Sequence, residues 1–123
     1  MAIGISCAGT NFKDALTALE KLQQDSASFV RQGVAIGMSL VMQQATKNHN
    51  PIVEDFTEKL MENIKKKTED NIYKFGAMCG LGIMSAGGRN SVVSMTSQSG
   101  SCKKASIIGM VMFCQYWYWF PFV

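Results

Sequence analysis

Charge is scarce in this chain of 123 residues: Asp, Glu, Lys and Arg together make up 17%, below the usual quarter. With hydrophobic residues at 47%, that excludes a disordered segment and a solvating acidic or basic tail. The surplus of positive charge is small, 12 basic against 9 acidic residues. The one basic run, Lys65-Lys66-Lys67, is flanked by Glu62, Glu69 and Asp70, so it reads as a solvated helix end. No basic stripe marks a nucleic-acid partner. Histidine occurs once, as His49 between Asn48 and Asn50, with no acid or cysteine nearby in sequence to orient it for catalysis. The four cysteines, Cys7, Cys79, Cys102 and Cys114, show no Cys-x-x-Cys spacing and no dense secreted pattern, which makes a reducing compartment the default. Met1 to Ala8 carries no basic region and too short an apolar stretch to be a signal peptide.

What is abundant is glycine in a repeating pattern. Arg31-Gln32-Gly33-Val34-Ala35-Ile36-Gly37-Met38-Ser39-Leu40 aligns without gaps on Lys74-Phe75-Gly76-Ala77-Met78-Cys79-Gly80-Leu81-Gly82-Ile83, an offset of 43 residues. Each copy carries a base, then Gly-x-x-x-Gly, then a large aliphatic residue. A shortened third copy opens the chain, where Ala2 to Thr10 matches Gly80 to Gly88 at an offset of 78, which splits into 43 and 35. Both intervals suit helical-hairpin arrays. Glycine inside a helix costs about 0.5 to 1 kcal/mol relative to alanine, so its recurrence needs close helix packing as a reason.

Amphipathic helices alternate with the glycine-rich ones. Phe12, Ala15, Leu16, Leu19 and Leu22 define one apolar stripe, and Val53, Phe56, Leu60 and Ile64 another. The second opens at Asn50-Pro51, a capping residue followed by one suited to the first helical position. The spacing predicts helices near 12–23, 29–45, 51–66 and 71–86, with Gly87-Gly88 ending the last of these, and an apolar helix from about residue 105. Inner glycine-rich and outer charged helices, repeated, describe an α-solenoid or a ring closed from one. Residues 1–90 form the hairpins, 91–104 an extended piece (91–96) and a polar loop, and 105–123 the apolar, aromatic-rich segment.

That last segment has no charge in 19 residues and supports two readings, a membrane span or a buried core helix. Its aromatics gather at one end, and Pro121 and Gln115 shorten the lipid-compatible stretch. Elsewhere the bland readings prevail. Glu54, Asp55, Glu58 and Glu62 sit on the exposed side of one helix, and Gly76-x-x-x-Gly80-x-Gly82 neither follows a strand nor carries Gly-Lys-Ser/Thr. Met38, Met42, Met78, Met84, Met110 and Met112 are expected to fill the core.

Phe29-Val30-Arg31-Gln32-Gly33 with Gln43-Gln44, Lys74-Phe75-Gly76-Ala77 with Ala86-Gly87-Gly88-Arg89-Asn90, and Phe113 followed by Gln115-Tyr116-Trp117-Tyr118-Trp119-Phe120-Pro121 together resemble the proteasome/cyclosome repeat family. In particular they look like the large non-ATPase scaffold subunits of the 26S proteasome regulatory particle. The likeness runs in order over essentially the whole chain, and the aromatic tail is its most specific part. It implies an all-α fold of helical hairpins, about 35 to 40 residues each, closing into a toroid of two concentric helix rings. The repeat glycines would then be Gly4, Gly9, Gly33, Gly37, Gly76, Gly80, Gly82, Gly87 and Gly88, with Ser39 standing where a glycine is usual. Tyr116, Trp117, Tyr118, Trp119 and Phe120 would form a buried aromatic segment inside the protein, which counts against a membrane span.

The resemblance further implies a scaffold with no catalytic, cofactor or metal residues. Its partners would be other regulatory-particle subunits and ubiquitin receptors or shuttle proteins, with no nucleic acid and no membrane, in the cytoplasm and nucleus. The family's full subunits are far longer, so the expectation is a fragment: the last toroid repeats and the beginning of the region C-terminal to them. Its aromatic tail would fold back on the repeats or drive self-association.

Overall fold

Asn50 shows how directly local chemistry sets an element. Its side-chain Oδ1 accepts from the Ile52 N–H at 3.1 Å, and Pro51 follows with helical φ −61° and ψ −26°. The helix therefore starts where a capping residue and a proline ask for it. In the computed structural model, which describes residues 1–46, 48, 50–89, 93, 95–97 and 99–116, the helices are α1 (Ala2–Ser6), α2 (Lys13–Glu20), α3 (Ser28–Val41), α4 (Ile52–Lys65), α5 (Asn71–Met84) and α6 (Lys104–Tyr116). A 3-10 turn, Ala86–Arg89, follows α5. The described residues contain no β-strand, only an isolated antiparallel bridge between Thr96 and Cys102. The fold is all-α.

α3 lies between α1 and α5, while α2 packs on α3 and α4 on α5. Two layers result, α1, α3 and α5 in one and the charged helices α2 and α4 in the other. Ala15, Leu16 and Leu19 of α2, Val34, Ala35 and Met38 of α3, Val53, Phe56 and Leu60 of α4, and Tyr73 and Ala77 of α5 form the core between the layers. Ten consecutive residues of α3, Gln32 to Val41, are buried, so that helix is covered all round. Near its C-terminal end, Leu40 borders a cavity together with Ile83 of α5 and Ser106, Gly109, Met110 and Phe113 of α6.

The connection from α1 to α2 needs unusual backbone angles. Gly9 has φ +71° and Asn11 φ +52°, and their N–H groups donate to the Leu40 and Val41 carbonyls at 2.9 and 3.0 Å. Carbonyls at the end of α3 that would lack helical partners are thereby satisfied. Later in the chain, Gly100 (φ +79°) turns a short hairpin in which the Ser97 N–H meets the Ser101 carbonyl and the Lys103 N–H meets the Met95 carbonyl, both at 2.8 Å. Of the extended piece expected at 91–96, Ser91, Val92 and Ser94 lie outside the described residues. Within it, the Val93 N–H donates to Gln43 Oε1 at 2.9 Å, tying the segment to the end of α3.

Several expectations need correction. The stripe of α2 is shorter than its periodicity: Phe12 is 52% exposed and Leu22 44%, because the helix starts after the one and ends before the other. Gly87-Gly88 does not end α5, whose cap is Ser85 with φ −90° and whose N–H is held by the Leu81 and Ile83 carbonyls. Gly88 is left-handed, at φ +63°, but it lies in the 3-10 turn beyond. Met78 and Met112 do not fill the core, since both are more than half exposed. No helix among the described residues is long and apolar enough to cross a membrane.

At the start of α5 the Asp70 carboxylate accepts from the Ile72 N–H at 2.9 Å. That backbone hydrogen bond, then one from Ser28 and the nearby Arg31 charge, hold its pKa below the ordinary carboxylate value. A carboxylate depressed in the folded state contributes stability above its unfolded pKa, near about 4, and loses it as pH falls through the folded value. Asp70→Ala should cost about 1 kcal/mol at neutral pH and progressively less in acid. Chemical denaturation of both proteins at neutral and acid pH would check this, and a pH-independent difference would assign the loss to something other than the charged cap.

Candidate functional site

The glycines of the first layer are where sequence pattern becomes geometry. A Cβ added to Gly4 would lie 2.5 Å from the Gly37 Cα and 2.7 Å from its carbonyl oxygen, so α1 and α3 touch backbone to backbone. On the other side of α3, a Cβ at Gly76 would lie 2.5 Å from Gln32 Cγ and 2.9 Å from its Cα, and one at Gly80 would lie 2.6 Å from Ser39 Oγ. Real side-chain carbons do not come so close. Only glycine allows the spacing, as close-packed helix interfaces require.

The two interfaces share one register. Ser39 is the counterpart of Gly4 at an interval of 35, and Gly80 the counterpart of Gly37 at an interval of 43. The Gly4–Gly37 contact of α1 and α3 is thus repeated as the Ser39–Gly80 contact of α3 and α5. Serine fits because its hydroxyl turns back to donate to the Ala35 carbonyl at 2.7 Å, leaving no buried donor unpaired.

The remaining glycines serve differently. Gly33 is buried within α3, Gly9 makes the turn after α1, and Gly87 lies in the 3-10 turn. Among the described residues, Gly82 and Gly88 have nothing within 4 Å of a built Cβ. Of the aromatic segment, Tyr116 ends α6, while Trp117, Tyr118, Trp119 and Phe120 lie outside the described residues, as does His49.

Arg31, read from sequence only as the base opening a repeat, does more than the pattern implied. Its guanidinium pairs with Glu69 Oε1 at 2.6 Å, donates to the Asp25 carbonyl at 2.8 Å and lies 5.4 Å from the centre of the Tyr73 ring. Tyr73 in turn accepts from Asn63 Nδ2 at 3.2 Å. One side chain therefore ties the α2–α3 connection, α3, the α4–α5 connection and α5. The clue available in sequence was the base at the same place in both copies; its partner, 38 residues away, was not legible.

Chemistry is sparse around this framework. Glu54, Asp55, Glu58 and Glu62 are all exposed along α4, and among the described residues no three His, Cys, Asp or Glu side chains gather as metal ligands. Burial pushes the Cys79 thiol above its ordinary pKa, the opposite of what a reactive thiolate needs. A polar hollow of ≈ 220 Å³ beside Arg31, Lys59, Glu62, Asn63 and Lys66 has mixed charge and opens between the hairpins.

Helical hairpins joined in one register through glycine contacts define an α-helical repeat protein. No protein-family model matches the chain. Among curated proteins it is 42% identical over 121 residues to the 26S proteasome regulatory subunit RPN2 of Candida glabrata and 40% identical over 121 residues to that of Saccharomyces cerevisiae. To the 26S proteasome non-ATPase regulatory subunit 1 homolog B of Arabidopsis thaliana it is 41% identical over 123 residues. These alignments cover 98 to 100% of the chain but only 12 to 13% of the relatives, so the chain spans about an eighth of their length. The chain is homologous, from end to end, to one segment of this regulatory subunit.

Proposed function

We propose that the chain is a scaffold segment of the kind its relatives' names describe, a helical-repeat part of a 26S proteasome regulatory subunit that positions neighbouring subunits and performs no covalent chemistry. The observation that carries this is identity of about 40% along the whole chain with proteins named as non-ATPase regulatory subunits. The glycine-spaced layers support it, because they build a rigid surface rather than a cleft lined by paired acids and bases. Its partners are then other subunits of the regulatory particle, with ubiquitin receptors or shuttle proteins as a narrower set. Its compartments are the cytoplasm and nucleus.

A replacement experiment tests this. The corresponding segment of the Saccharomyces cerevisiae subunit would be exchanged for this chain and the regulatory particle purified. The expected result is a particle of normal subunit composition containing the chimera. A chimera that is folded and abundant yet absent from the particle would refute the scaffold reading.

A further inference from the structure

We propose that the polar hollow between the α2–α3 and α4–α5 hairpins seats one carboxylate side chain, glutamate or aspartate, presented by an acidic segment of a partner protein. Both walls belong to this chain, and the hollow lies between two consecutive hairpins rather than on an outer flank. Its volume of ≈ 220 Å³ falls below the roughly 300 to 1,000 Å³ of small-molecule sites and suits a single side chain. The lining has hydrogen-bond donors to spare. Arg31 uses three of its five N–H groups, two toward the Asp25 and Ser26 carbonyls and one toward Glu69. Tyr73 is only 9% exposed; its hydroxyl accepts from Asn63 Nδ2, and among the described residues nothing accepts its own O–H.

The rim adds charge. Lys59, Glu62, Asn63 and Lys66 follow one another at helical spacing along α4 and its cap. Lys66 Nζ donates to Asn63 Oδ1 at 2.9 Å, so the Asn63 amide is held with its N–H toward Tyr73. Lys59 has no ion pair among the described residues. Three cations, Arg31, Lys59 and Lys66, stand against two carboxylates, Glu62 and the Glu69 already bound to Arg31, so one positive charge is uncompensated. A carboxylate only accepts hydrogen bonds and carries the opposite charge, which is what such a lining lacks. Below the rim, Val34, Ala35, Phe56 and Leu60 offer an apolar floor to the methylene groups of the incoming side chain. Arg31 and Asn63 are already fixed by their bonds to the protein, so little ordering is needed on binding. The contact assumes nothing about the assembly the chain belongs to, and its absence would leave the scaffold reading untouched.

Nitrogen–proton correlation NMR of the full chain, titrated with N-acetyl-glutamate amide and separately with N-acetyl-glutamine amide, tests this. The glutamate compound should shift the Arg31 side-chain N–H and the Asn63 and Tyr73 amides saturably, with a Kd on the order of 1 mM. The glutamine compound, equal in shape but uncharged, should bind about tenfold more weakly or not at all. Tyr73→Phe keeps the ring beside Arg31 and removes only the hydroxyl, and should weaken the glutamate compound about tenfold. Lys59→Gln should weaken it about threefold, and Glu62→Gln, which removes the opposing acid, should tighten it by about as much. Equal binding of the two compounds, no saturation by about 50 mM, or shifts confined to Lys103 and Lys104 would each overturn the proposal. So would weaker binding in Glu62→Gln, or inorganic phosphate binding more tightly than the glutamate compound, which would make the hollow a phosphate site. Should Tyr73→Phe unfold the chain, the comparison of the two compounds on the wild type and on Glu62→Gln decides.

Discussion

Leucine at Gly76 or Gly80 should lower the melting temperature, whereas leucine at Gly82, two residues beyond Gly80 on the same helix, should not. A Cβ at Gly76 has a backbone atom, Gln32 Cα, 2.9 Å away, and Gln32 itself is fully buried. Neither can step aside without moving α3. At Gly80 the obstacles are Ser39 Oγ at 2.6 Å and the Ala35 carbonyl oxygen at 3.2 Å, which are already bonded to each other. Overpacking of this sort costs typically about 1 to 3 kcal/mol, and a larger cost is reasonable where the clash is with backbone. Better helix propensity returns about 0.5 to 1 kcal/mol, so the loss wins. At roughly 4 °C per kcal/mol for a domain of this size, the fall is well within reach of a thermal melt followed by circular dichroism. Gly82→Leu has the propensity gain and no clash. If Gly80→Leu melts with the wild type, the close α3–α5 contact is wrong.

The same pair of glycines marks the line between what sequence could and could not disclose. A gapless match at 43 residues is visible because glycine has few reasons to recur inside helices, and each recurrence implies a close neighbour. It says nothing about which flank the neighbour occupies. Gly82 and Met78 therefore read like Gly80 and Ala77, yet in the structure Gly80 and Ala77 pack against α3 and the core, whereas among the described residues nothing lies within 4 Å of a Cβ built at Gly82 and Met78 is 51% exposed. Arg31 illustrates a second limit. Its base character was evident, but its pairing with Glu69 depends on how two interhelical connections come together, which local periodicity does not encode. α6 illustrates a third. A segment apolar all round gives no period from which to tell a covered face from a bare one, and in the structure Met110 is buried while Val111 and Met112 are exposed.

Phenylalanine gives the second large effect, and the sharpest contrast between stripe and structure. Phe12 and Phe56 each stand on an apolar stripe, and from spacing alone both belong to the core. In the structure Phe56 is 5% exposed, packed with Val53 and Leu60 in the cluster that joins α2, α3, α4 and α5. Phe12 precedes the first turn of α2 and is half in solvent. Phe56→Ala should therefore destabilise by about 3 to 5 kcal/mol, a substantial part of the stability of any domain of this size. The low end is favoured because Phe56 borders the hollow beside Arg31, whose polar rim of Lys59, Glu62, Asn63 and Lys66 lets water enter the enlarged space. Phe12→Ala should change stability by no more than about 0.5 kcal/mol. Urea titrations of the two variants decide the matter, with Phe56→Leu expected to recover most of the loss by keeping the volume largely filled. Equal destabilisation by the two alanine variants would mean that α2 begins earlier and packs its full stripe, and that the two layers meet along more of α2 than Ala15, Leu16 and Leu19.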